Sequence, residues 1–194
     1  MNPPSLIRII RQRLQEAALV KLLMAESGAE EIGAIADAVV KALKAGRRVV
    51  LFGNGGSAAD AQHIAAEMEG RFMRERRPWP VLALTTNSSS LTAIGNDYDF
   101  EATFPRLVRA HVRRGDVAIG LSTSGNSPNV VAALKAARAL GAVAIAFTGL
   151  KGGKAGKVAD LVFHAPSDST ARVQECHITA GHIICEIAEL SLPK

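Results

Sequence analysis

From residue 48 onward the chain alternates short apolar runs with stretches of helical spacing, and this alternation limits the fold more than any other feature. Arg48 to Gly53 reads as a strand, Ser57 to Glu69 as a helix and Val81 to Thr85 as a strand. Ser89 to Ile94 and Glu101 to Val112 read as helical, followed by strand Asp116 to Leu121 and helix Ser127 to Leu140. A strand at Ala142 to Thr148, a short one at Leu161 to His164 and a last helix from about Thr170 to Leu190 complete the series. Strands separated by helices run parallel and carry helices on both faces. The predicted fold class is therefore α/β, a three-layer α/β/α sandwich around a central parallel sheet. Composition agrees: 48% of residues are apolar and only 4% aromatic, a palette suited to helices packed on a buried parallel sheet.

Two helices are expected ahead of this core. Pro3-Pro4-Ser5 suits a helix start, and Leu6, Ile9, Ile10, Leu14, Ala17, Ala18 and Leu22 recur at helical spacing. One amphipathic helix should cover residues 5 to about 26, ended by Ser27-Gly28, and a second should run from about Ala29 to Ala45, stopped by Gly46. No linker or internal repeat divides the sequence, so a single domain over 1–194 is expected, with residues 1–45 serving packing or subunit contacts and 46–194 forming the α/β core.

Several function classes fall away. No apolar stretch approaches the roughly 20 residues of a membrane span, and the N-terminus lacks a secretory pattern. Cys176 and Cys185 form no CxxC pair, so neither a disulfide framework nor a zinc ribbon is indicated, and the cytoplasm is the expected compartment, with no membrane partner. The formal charge is +5, yet the basic clusters (Arg47-Arg48, Arg74 to Arg77, Arg113-Arg114) are short and interrupted or flanked by acids. No nucleic-acid partner is expected, and a modest positive field suits a phosphorylated small substrate.

Two strand-to-helix turns share one composition: Gly53-Asn54-Gly55-Gly56-Ser57 and Ser122-Thr123-Ser124-Gly125-Asn126-Ser127. Glycines let the backbone approach a ligand, hydroxyls add donors, and free N–H groups at a helix start attract anions. Neither turn matches the dinucleotide or P-loop fingerprint. Both also suit ordinary helix caps, with Pro128 well placed as a first helical residue. Beyond the first turn, His63 and Glu67 stand at i and i+4 on one helix face, as a proton-moving or metal-holding pair or as a plain solvated one. The last helix carries Gln174, His177 and His182 among apolar neighbours, where a lone histidine is more often a satisfied core residue. Asn96-Asp97 reads as a further polar turn.

With these residues in view, the chain resembles the phosphoheptose isomerases of the sugar isomerase (SIS) fold family. The resemblance spans nearly the whole chain. It rests on GNGGSAADAQHIAAE at Gly53 to Glu67, GRF at Gly70 to Phe72, LTAIGND at Leu91 to Asp97, STSGNSPN at Ser122 to Asn129, FTG at Phe147 to Gly149, RVQECH at Arg172 to His177, and His182. It implies an aldose–ketose isomerase acting on sedoheptulose 7-phosphate, on the route to lipopolysaccharide heptose, assembled as a homotetramer with sites near subunit interfaces. Ser122, Thr123, Ser124 and Ser127 would then hold the phosphate. Asn54, Gly55, Gly56, Ser57, Glu67, Asn96, Asp97 and Gln174 would contact the substrate, with Arg71 an accessory. Glu67 and His182 would be the acid/base pair, and one zinc ion per subunit would bind His63, Glu67, Gln174 and His182.

Gln174 and His182 lie eight residues apart, about 12 Å along a straight helix. Both reach one metal only if they lean together or if one comes from a neighbouring subunit. The chain also departs from the pattern at Ala171, where some relatives carry an acid, and at Ala58 and Ala59. An alternative reading is a non-catalytic SIS-fold protein that binds the replication initiator DnaA, which the chain resembles at SAADAQH and TARVQE.

Overall fold

The computed structural model describes residues 3–192. They form α1 (Pro3–Ser27), α2 (Ala29–Lys44), β1 (Val49–Gly53), α3 (Gly56–Glu69), β2 (Val81–Ala83), α4 (Ser88–Asp97) and α5 (Thr103–His111). These are followed by β3 (Val117–Leu121), α6 (Pro128–Ala139), β4 (Val143–Thr148), α7 (Gly153–Val158), β5 (Leu161–His164) and α8 (Thr170–Ser191).

All strand pairings are parallel, in the order β2-β1-β3-β4-β5. Every residue of β1 and β3 is buried, which explains their unbroken apolar sequences: a strand covered on both faces has no place for alternating polar residues. The period of two still sorts the core. Val49, Leu51, Val117, Ile119, Ile145, Phe147 and Phe163 face one layer, where Ile35, Ile64, Met68, Val173 and Ile184 of α2, α3 and α8 pack. Val50, Phe52, Ala118, Ala144 and Ala146 face the other, packed by Phe104, Val108, Val130 and Leu134 of α5 and α6. The three-layer sandwich is thus as expected.

Strand order reverses direction at β1. The chain goes from β1 outward to β2, then crosses back to place β3 on the other side of β1. In open α/β sheets the crevice beyond the strand ends at such a reversal is the natural ligand site. Here it is flanked by the turns that follow β1 and β3.

Several boundaries differ from expectation. The chain between β4 and β5 forms the short α7, and Asn96 and Asp97 lie in the last turn of α4 rather than in a turn after a helix. β2 ends at Ala83. α1 is a helix, but its apolar side chains are mostly uncovered: Leu14 is 65% and Leu22 66% exposed, and only Val20 and Met24 join the core.

Candidate active site

The two glycine- and serine-rich turns open α3 and α6, and neither behaves as a plain cap. Gly55 is the N-cap of α3 at φ +56° and offers no side chain. Ser127 is the N-cap of α6, yet its hydroxyl makes no capping bond and instead meets Ser122 Oγ at 3.0 Å. The Ser127 N–H also points at Ser122 Oγ, at 3.4 Å. The turn is tightened by Gly125 N–H donating to Ser122 O at 2.9 Å and Asn126 N–H to Ser124 Oγ at 3.1 Å. Gly125 has φ +65°, and a Cβ there would fall 2.2 Å from Gly152 O, so only glycine lets the loop before α7 close over this turn. Beside it opens a cavity of about 180 Å³, lined by Thr123, Ser124, Asn126, Lys151, Ser167 and Thr170 among others. Its hydroxyls and one lysine suit a phosphate group, and Asp168 lines the same space.

On α3, one helical turn places His63 Nε2 3.1 Å from Glu67 Oε1. α8 packs against this helix so closely that a Cβ on Gly181 would meet Ile64 Cδ1 at 2.5 Å. The next residue, His182, brings its Nε2 to 3.1 Å from His63 Nε2 and 3.6 Å from Glu67 Oε1. Three electron-pair donors from two helices therefore converge, their ligand atoms all within 4.8 Å of one another. Two imidazole nitrogens and a carboxylate oxygen so close repel one another unless a proton or a cation sits between them. Glu67 Oε2 is buried, with no hydrogen-bond partner among the described residues. The Cys185 thiol beside Glu67 is driven well above its ordinary range by burial and then by the neighbouring carboxylate, so it stays protonated.

Sequence reasoning missed Asp60. Burial raises its carboxyl above the usual range, opposed by His63 and His182, and its Oδ2 has no partner among the described residues. Its position at i−3 of His63 was the available signal.

The far side of the site is fixed by a buried ion pair. Glu189 Oε1 accepts from Arg76 Nε at 3.1 Å, and its two oxygens also accept from the N–H groups of Phe72, Met73 and Arg74, each at 2.9 Å. Arg76 in turn donates to the carbonyls of Glu67, Met68 and Gly70, capping the end of α3, and stacks on Trp79 at 3.6 Å. The loop so held lays Phe72 on the His182 ring, with centroids 5.8 Å apart.

The remaining predicted residues are dispersed in a single chain. Gln174 lies against Gly56, where a Cβ would fall 2.0 Å from its Nε2. Gly56 stands two helical turns before His63, so Gln174 lies at the first turn, on the N-terminal side of the His63/Glu67/His182 group. Asn96 and Asp97 are exposed and bonded to each other at 3.0 Å, on a helix whose Leu91 and Ile94 pack with α5 and α6 rather than with α3 and α8. Arg71 is exposed beside Phe72.

Residues 14–149 match the SIS domain family model. A phosphoheptose isomerase of Aquifex aeolicus is 56% identical over 180 residues, covering 93% of this chain and 94% of its own. The chain belongs to the phosphoheptose isomerases, within the SIS domain family. Its family membership is matched in three dimensions by the phosphoheptose isomerase GmhA of Neisseria gonorrhoeae, at 40% identity and TM-score 0.90 over 95% of this chain and 99% of that one. The phosphoheptose isomerase of Francisella tularensis has a TM-score of 0.92 at 32% identity, covering 95% and 98%. The chain is accordingly an isomerase, and the non-catalytic alternative is set aside.

Proposed function

We propose that the chain isomerises sedoheptulose 7-phosphate to D-glycero-D-manno-heptose 7-phosphate through an enediolate, the first step toward the ADP-heptose of bacterial lipopolysaccharide. The observation that carries this reading is the convergence of Glu67 Oε1 with the Nε2 atoms of His63 and His182. An aldose–ketose exchange needs a base over one carbon and a donor for the neighbouring oxygen. Glu67 takes the proton from C1 of the ketose and returns it to C2, while His182 carries the hydroxyl proton between O1 and O2. Phe72, stacked on His182, holds that ring in place. Ser122, Thr123, Ser124 and Ser127 grip the phosphate, and the turn of Asn54, Gly55, Gly56 and Ser57 meets the sugar chain.

Two imidazoles and a carboxylate are the donor set of a catalytic zinc site with an open position, and the unsatisfied convergence fits a bound cation. His63, Glu67 and His182 would hold zinc, which when bound polarises the substrate's carbonyl oxygen. Gln174, at the first turn on the N-terminal side of the trio, would complete the set. We read the protein as one SIS domain over 1–194 that assembles as a homotetramer, with Arg71, Asn96, Asp97 and Gln174 brought to the substrate near subunit interfaces. The exposed apolar side chains of α1 support assembly. No helix among the described residues is long and apolar enough to cross a membrane, and two buried free cysteines are in keeping with the cytoplasm.

The test is turnover of sedoheptulose 7-phosphate by the purified chain, with zinc and with a chelator. Glu67→Gln and His182→Asn should each abolish turnover while the oligomer persists, and His63→Ala should lower bound zinc in elemental analysis. Absence of turnover with metal supplied would reject the reading.

A further inference from the structure

Asn129 is 2% exposed, and the reaction described above gives it no part. It is the second residue of α6, beside the reversal point between β1 and β3. Across that crevice it makes a reciprocal amide pair with Asn54. Asn54 Nδ2 donates to Asn129 Oδ1 at 2.9 Å, and Asn129 Nδ2 donates to Asn54 Oδ1 at 3.0 Å. Asn129 Oδ1 also accepts from the Val130 N–H at 3.0 Å, and its Nδ2 reaches Thr103 Oγ1, at the start of α5, at 3.4 Å. A buried carboxamide with its partners in place is costly to disturb. The two amides thus form a rigid strap between the turn after β1 and the turn after β3, beyond the point where the sheet's own pairing of Gly53 with Leu121 stops.

We infer that Asn129 is a positioning residue that sets the spacing between the sugar-gripping and phosphate-gripping turns. This inference rests on the assignment of those turns under the proposed function. A substrate anchored by its phosphate at Ser122 to Ser127 presents its reacting carbons to Glu67 only if the first turn stands at a fixed distance from the second. The strap supplies that distance. One consequence concerns Asn54: one of its N–H bonds and one lone pair of its oxygen are spent inward, which leaves one side-chain N–H and one lone pair for a substrate.

The experiment compares the full-length chain, Asn129→Ala, Asn54→Ala and the double variant, with zinc supplied. It measures turnover of sedoheptulose 7-phosphate and competitive inhibition by inorganic phosphate. Inorganic phosphate needs only the second turn. The inhibition constant should stay within about threefold in each single variant, and the KM likewise in Asn129→Ala, while kcat falls about 30- to 100-fold in each, as for a misplacement of the reacting atoms; Asn54→Ala also loses a sugar contact and raises the KM further. The double variant should be no slower than the slower single one, because both break the same strap. Parallel loss of phosphate inhibition would make Asn129 a shaper of the phosphate turn and overturn the inference. Multiplicative losses in the double variant, or unchanged kcat, would overturn it as well. If an alanine variant fails to fold, Asn129→Asp keeps both acceptor bonds but sets a carboxylate oxygen against Asn54 Oδ1, which breaks the strap, so a kcat loss with phosphate inhibition retained is expected, and an unchanged kcat rejects the inference. If the unaltered chain does not act on the sugar phosphate, the functional reading has failed separately. The strap is then read from thermal unfolding: a double variant as stable as the worse single one supports it, and summed losses reject it.

Discussion

His177 is an imidazole sealed in the core between Phe147 and Phe163, five residues from the solvent-open His182 on the same helix. Its Nε2–H donates to Thr148 O at 3.1 Å, and Nδ1 has no partner among the described residues, as befits a neutral ring. Burial pulls its pKa from 6.5 down to about 4, against a smaller opposing effect of the Thr148 bond. As pH falls through that window the unfolded chain takes the proton first, so folding weakens progressively between the two values. Glu189 adds to this at lower pH. Burial raises its carboxyl, but three backbone N–H groups and Arg76 outweigh burial and hold it below its ordinary value of 4.5, so its stabilisation is complete above that pH and fades beneath it. His177→Phe should therefore shift the midpoint of acid unfolding, followed by circular dichroism, to lower pH. Thr148 O keeps its bond from the Ala165 N–H at 2.9 Å, so the variant strands no carbonyl. An unmoved midpoint would show that His177 is not the acid-sensitive group.

At the scale of elements, α3 and α8 and the loop between Gly70 and Trp79 form one mechanical unit. The Arg76–Glu189 pair is 3% and 2% exposed, so removing the arginine leaves a buried carboxylate without its counter-charge, held by the three backbone N–H groups alone. Arg76→Met should cost about 3–5 kcal/mol in denaturant unfolding. It should also lower kcat, because Phe72 loses its hold on His182. Arg138→Met breaks a pair whose members are 51% and 34% exposed and should cost at most about 1 kcal/mol. Equal losses from the two substitutions would refute this ranking. The strand-turn-helix alternation, the His63–Glu67 pairing and both turns were legible in sequence, because period and local spacing carry them. The Arg76–Glu189 contact was not, since 113 residues separate the partners and no pattern links them. Nor was α7, whose six residues GKAGKV are too short for a helical period to show. His182 was legible as a candidate through resemblance, while its meeting with His63 inside one chain required the parallel packing of α3 on α8.

For the whole molecule, the unsettled surface is α1. Leu14, Leu19 and Leu22 lie 57–66% exposed, and an apolar groove of about 310 Å³ runs between α1, α2 and α8 along Met24, Ile32, Ile183 and Ile187. Helical spacing announces such a face without saying whether the same chain or another copy covers it. If other copies do, Leu14→Glu with Leu22→Glu should yield smaller particles in light scattering while far-ultraviolet dichroism stays unchanged. A mass equal to that of the unaltered protein would place the interface elsewhere.

The trio also has a schedule. His63 and Glu67 belong to the third helix and His182 to the eighth, 119 residues further along. During synthesis the first pair leaves the ribosome long before its partner, and the sheet face that α8 covers stays open until then. The centre closes only when the last helix docks beside α3. A chain stalled before that point carries half a site on a partly built sheet.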